Sequence, residues 1–202
     1  MAVVGLDNAM INVNNVTHVL DHSFLGTSKA DIKSLEGNDT ALNGSNQVQL
    51  YYRNPAHPTV TLTVNDMPMD LLAQLVGADA MQEGGGLYRE GQTSVSPVSG
   101  LCIVSPKLGE DKDVVYIFPK CHVSYQTASL STNTESKLNV VPVQLTFSAA
   151  YDPVTKTSAI WGEVDHGKAV DTVTKTLNWS EPASDGEYKD AGSAVIAPKT
   201  GK

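Results

Sequence analysis

Thr59-Val60-Thr61-Leu62-Thr63-Val64, followed by Asn65-Asp66-Met67-Pro68-Met69-Asp70-Leu71-Leu72-Ala73-Gln74-Leu75-Val76-Gly77, decides the fold class. The first six residues alternate strictly. Val60, Leu62 and Val64 take one face and three threonines the other, the period-two pattern of a half-buried strand. The residues after them change period. Asp66 stands as an N-cap, Pro68 falls in the first turn where a missing N–H costs nothing, and Gly77 marks the stop. Met67, Leu71, Leu72, Leu75 and Val76 then fall on one stripe at helical spacing, which predicts a short helix packed against a sheet.

Outward from this segment, short β-type runs dominate. Val3–Leu6 and Ala9–Val13 open the chain, and Gln47–Tyr52 begins by alternating polar and apolar residues. Gly100–Val104, Val114–Phe118, Cys121–Thr127, Val143–Ala149 and Ser158–Val164 are further candidate strands. Only 66–77 reads as a helix. Strands without regular β–α alternation predict a mainly-β (α+β) fold. The expected form is an antiparallel β-sandwich or open barrel with one flanking α-helix.

Polar stretches interrupt the pattern. Ser34–Ser45 (SLEGNDTALNGS) has the composition of a mobile loop, and Asn54–Pro58 (NPAHP) adds a rigid turn. A dozen residues without structure are unusual in a compact domain and often functional. Gln82–Pro97, starting with Glu83-Gly84-Gly85-Gly86, reads as a second loop. Ser180–Lys202 collects Gly, Ser, Pro, Ala and Lys with little periodicity, so residues 1–179 are expected to form the β domain and 180–202 a flexible tail.

Composition bounds the function. The 202 residues (21.5 kDa) are 41% apolar and 18% charged, ordinary for a folded domain. No run approaches 18 apolar residues, so no membrane-spanning helix is expected. Met1–Asp7 has neither basic flank nor long apolar core, which leads to the expectation of no secretory signal and of folding in a cytoplasm. Cys102 and Cys121 both sit in strand-like runs and read as reduced core thiols. The net charge is −8; four acids against three lysines leave −1 on residues 180–202 and −7 on 1–179. Such a balance opposes tight nucleic-acid wrapping, which needs Lys/Arg clusters.

A search for catalytic chemistry finds little. His18 and His22 are four apart, but NNVTHVLDHS is not a helical sequence and no Cys or Glu completes a ligand set. No Gly-x-Ser-x-Gly elbow occurs. Gly84–Gly86 lacks the Lys-Ser/Thr sequel of a phosphate loop. Glu110-Asp111-Lys112-Asp113 lacks calcium-loop spacing and reads as a solvated hairpin tip. The expectation is a protein with no enzymatic activity, metal or cofactor.

Three segments, in order, resemble the major tail proteins (tail-tube proteins) of siphophages. The first is Val4-Gly5-Leu6 with Asn8 to Val13, similar to their N-terminal strand. The second is Leu50-Tyr51-Tyr52, then Thr59–Asp66 and the helix ending at Gly77. The third runs from Tyr116-Ile117-Phe118-Pro119-Lys120-Cys121 through Thr132-Asn133-Thr134-Glu135-Ser136-Lys137 to Val143–Ala149. Together they cover roughly residues 3–165. Specificity rests on their combination and order, since no segment is a signature alone.

The resemblance implies a structural virion protein of the phage tail tube. Copies associate into stacked, typically hexameric rings through paired sheet edges. It further implies assembly in the host bacterial cytoplasm, and tape measure, tail terminator and distal tail proteins as partners. Phage DNA passes through the lumen without specific binding during genome ejection. A loop or hairpin between early strands reaches the next ring; here the candidate is Ser34–Pro58, with Leu35, Glu36, Asn38, Asp39, Asn43, Tyr51 and Arg53 as contact residues. The acidic balance has two readings that stay open: a lumen wall that repels phosphate, or solubility before assembly. The alternatives are another β-sandwich virion component, such as a tail terminator or capsid decoration protein, and a carbohydrate-binding adhesive module. The last would need surface aromatic pairs, and only Trp161 and Trp179 occur.

Overall fold

The computed structural model describes residues 2–20, 26–81, 87–89, 96–126 and 141–182. Most of Gln82–Pro97, all of Thr132–Lys137, His22, and the tail from residue 183 onward lie outside the described residues. Eight strands form the main sheet: β1 (Asn8–Val13), β2 (Val16–Leu20), β3 (Thr27–Lys33), β6 (Thr59–Val64), β9 (Ser99–Pro106), β10 (Lys112–Ser124), β11 (Val143–Ala149) and β12 (Ile160–Asp165). Two small two-stranded sheets are separate: β4 (Asp39–Gly44) with β5 (Gln47–Arg53), and β7 (Asp79–Ala80) with β8 (Tyr88–Arg89). The helices are α1 (Met69–Val76) and α2 (Ala169–Leu177). Every strand pairing among the described residues is antiparallel.

The sheet order β2-β1-β9-β10-β11-β6-β3 is not closed into a barrel. It folds into a sandwich at β10, because that strand changes partner along its length. Lys112–Ile117 pair with β12, whereas Cys121–Ser124 pair with β11. Between them the register on β9 slips by one residue, from Phe118↔Leu101 to Cys121↔Ser99. Pro119 sits in this bulge, where no ladder N–H is required. The sequence pattern splits this region into two strands at Pro119-Lys120; the chain instead makes one long strand with a kink. The slip is structurally necessary. Phe118 points into the sandwich, and regular alternation through Pro119 and Lys120 would turn Cys121 and Val123 outward; the bulge takes up one residue and keeps them inside.

The sandwich interior joins Ala9, Ile11 and Val13 of β1, Val60, Leu62 and Val64 of β6, and Leu145 and Phe147 of β11. The alternation of β6 appears directly, with Val60, Leu62 and Val64 at 0% exposure and the threonines between them half-buried. Leu71, Leu72 and Leu75 of α1 fill the same core. The helix begins at Met69 with Pro68 as its N-cap and no side-chain cap. Asp66 therefore is not the cap, and Met67 is buried ahead of the helix rather than within it. Gly77 ends α1 at φ 73°, in the left-handed region open to glycine.

A second core lies on the opposite face of β1, β9 and β10. Met10, Cys102, Val104, Val115 and Ile117 are covered there by Ala169 and Val173 of α2. This helix was not assigned from sequence. Its Val and Thr residues have weak helix propensity and its N-cap, Lys168, makes no capping bond. The cover explains why β9 reads as a continuous apolar run: it is buried on both faces. Trp179, just past the helix, lies over Gly100, where a Cβ would overlap the indole. Thr17 N–H donates to Ser180 Oγ at 3.1 Å, so the chain stays attached to β2 beyond Trp179.

At the start of α2, Asp113 is 1% exposed and accepts from Gly167 N–H at 3.0 Å. Its other carboxylate oxygen lies 2.7 Å from His166 Nδ1. The reading of Glu110–Asp113 as a wholly solvated tip thus fails at Asp113, which fastens the β12–α2 turn to β10.

Candidate functional site

The span Ser34–Pro58 is a built element rather than a loop. From Asp39 to Arg53 it forms a β-hairpin whose strands pair with each other and with no other strand among the described residues. Neither strand contributes a residue to either hydrophobic core. The turn is Ser45-Asn46 with φ of 51° and 61°, the paired left-handed residues of a type I′ turn, whose twist suits two-residue hairpins. A register shift between Leu42 and Asn43 leaves Gln49 of β5 as an extra residue.

The neck is closed by Asn54, whose backbone N–H and side-chain Nδ2 donate to the Asn38 carbonyl at 3.0 and 3.1 Å. Gly37 permits this crossing, since a Cβ there would collide with the Asn54 carbonyl oxygen. Arg53 Nε reaches Asp39 Oδ1 at 2.9 Å and Nη1 reaches Glu36 Oε2 at 3.4 Å. Arg53, by hydrogen bond and then by charge, holds the Asp39 carboxyl below the usual carboxylate range. These are exposed pairs, so they set geometry more than stability. Leu35 packs against the sandwich core and anchors the base.

Cross-strand pairing sorts the side chains, because directly opposed residues share a face. Thr40, Leu42, Leu50 and Tyr52 form one face; Asp39, Ala41, Asn43, Val48, Tyr51 and Arg53 form the other. Both faces are open. Leu42 and Leu50 are 55% exposed and Tyr52 49%, while Val48 is 48% and Tyr51 66% exposed. Of the residues expected from sequence, Asp39, Asn43, Tyr51 and Arg53 lie together on the second face; Leu35, Glu36 and Asn38 lie at the neck. The first face, with Leu42, Leu50 and Tyr52, was missed. Its signal was present: Thr40 through Tyr52 contains no charged residue.

Beside the neck, Leu35, Arg53, Ala56, Ser158 and Trp161 line an open groove of about 260 Å³. That is smaller and wetter than the enclosed clefts that hold small molecules. Among the described residues no group of three His, Cys, Asp or Glu side chains is placed to hold a metal. His18 lies on β2, half-buried, and burial lowers its pKa. Cys102 and Cys121 are free and sit in separate cores; burial raises both thiols, Cys121 to about 12. No helix among the described residues is long and apolar enough to cross a membrane.

A family model described as phage tail tube protein matches residues 15–175. The chain belongs to that family. It is accordingly a structural protein of the virion tail, a component that assembles with other tail proteins. The match spans the Asp39–Arg53 hairpin, the arm of the molecule, both helices apart from the last two residues of α2, and every strand of the main sheet except β1. No curated protein sequence matches the chain.

Proposed function

We propose that copies of this chain associate into stacked, hexameric rings that form the tail tube, the conduit through which the phage genome is ejected. The observation that carries this reading is the arm. A two-stranded hairpin is marginal in water by itself, and one that exposes five large apolar side chains needs a partner surface. Edge strands β3 and β12, and β2 apart from its Thr17 bond to Ser180, pair on one side only among the described residues and offer backbone to neighbours within a ring, which closes the edges that would otherwise aggregate. The arm, projecting from the body, joins one ring to the next.

In this reading the β domain of residues 1–179 is the ring unit and 180–202 its tail. Glu36, Asn38, Asp39, Asn43, Tyr51 and Arg53 belong to the inter-ring contact. Assembly takes place in the host cytoplasm, with tape measure, tail terminator and distal tail proteins as the adjoining components. The net charge of −8 suits a lumen past which DNA slides without sticking.

The test is to replace Thr40–Tyr52 by a two-residue turn, keeping the Asp39–Arg53 pair and the neck. The trimmed protein is expected to unfold with the wild-type midpoint but to form no tubes by negative-stain microscopy. Undiminished tube yield would overturn the assignment of the arm.

A further inference from the structure

We infer that the arm is bivalent: each of its two faces is covered by a different copy of this chain, so that it wedges between two subunits. This rests on the tail-tube reading above and names the partner arrangement at the arm. An arm lying on one surface needs one apolar face and one polar, solvated face, the ordinary alternation of a half-covered ribbon. Here the charges, Asp39 and Arg53, stand only at the neck of the second face, and beyond them both faces carry large apolar side chains. Leu42, Leu50 and Tyr52 stand on one side and Val48 and Tyr51 on the other, all about half exposed or more. Burying either face alone leaves large apolar side chains of the other in water.

The occupant follows from charge and area. The chain carries −8, so two copies repel over their bodies, yet Thr40 to Tyr52 is uncharged and meets another copy without that penalty. The seven residues of β5 span about 23 Å at about 3.3 Å each. At roughly 10 Å of width, one face offers about 230 Å², against about 800 Å² per partner in a standard stable interface. One face on one copy is too little to hold. Two faces on two copies double the contact, and repetition around a ring multiplies it through avidity. The same deficit keeps isolated subunits from pairing through their arms.

Two variants separate the outcomes. One carries Leu42→Ser, Leu50→Thr and Tyr52→Thr; the other carries Val48→Thr and Tyr51→Thr. None of these residues is in a core, so both variants are expected to keep the wild-type melting midpoint. Each should lose tubes by negative-stain microscopy. Loss from one variant only overturns bivalence and leaves a single-sided arm. Loss from neither, or a wild-type protein that never forms tubes, overturns the tail-tube reading of the arm itself. As a measurement independent of hairpin folding, photo-crosslinkers at positions 50 and 51 in assembled tubes should label separate peptides, on two different subunits. Identical peptide sets from both positions contradict the proposal.

Discussion

Gly100→Ala probes the cover that Trp179 and α2 place over the second core. A Cβ at position 100 overlaps the indole, so the ring must shift away from β9. A buried tryptophan covers about 150–250 Å², and Trp179 is mostly buried, so displacing it in part exposes on the order of 100 Å². At about 25 cal/mol per Å² this costs about 2.5 kcal/mol, within the usual range for overpacking. For a chain of this size, the melting midpoint should fall by about 5–10 °C. The decisive assay is a double-mutant cycle by thermal unfolding. With Trp179→Ala in place, the obstacle is gone, and Gly100→Ala should be neutral or stabilising by up to about 1 kcal/mol, because Ala restricts the unfolded chain. An equal loss in both backgrounds would refute the contact.

Other elements give sharper or simpler tests. Deleting Pro119 removes the extra residue, so β10 runs against β9 in one register with Cys121 and Val123 still facing the sandwich; the expected result is a cooperative unfolding transition by calorimetry, and its loss contradicts reading the slip as a one-residue bulge. His166 is raised in pKa first by its hydrogen bond to Asp113 and then by that charge. A raised folded pKa adds stability below the ordinary histidine value of about 6.5, and this is lost as pH rises through the folded value. Wild type should therefore lose more melting temperature than His166→Gln between about pH 6 and pH 8, and parallel slopes would remove His166 from the account. The thiols of Cys102 and Cys121 should resist alkylation in the native protein at neutral pH and react fully once denaturant is added; fast native labelling of either contradicts its burial.

These predictions concentrate where the sequence was hardest to read. The strand and helix of Thr59–Gly77 were legible because one face of each is buried, and burial imposes period on sequence. The second helix was not, because AVDTVTKTL is rich in β-branched residues and its helicity comes from packing on Met10, Cys102 and Ile117. Strand β3 (TSKADIK) was hidden by its place at the sheet edge, where charged side chains are tolerated and protective. The arm was mistaken for loop in its first half because Asn-Gly-Ser-Asn is turn chemistry, which here closes a hairpin. Its second half was read as a strand with one buried face, whereas both faces are open. Periodicity reports burial within one chain and is silent on surfaces that other copies cover.

The most direct measurement is a helical reconstruction of tubes grown from the purified protein. The expected result is stacked rings with Leu50 and Tyr51 buried in the seam between them, their side chains against other copies. An arm left in solvent on the assembled tube, or a protein that stays monomeric at high concentration, would contradict it.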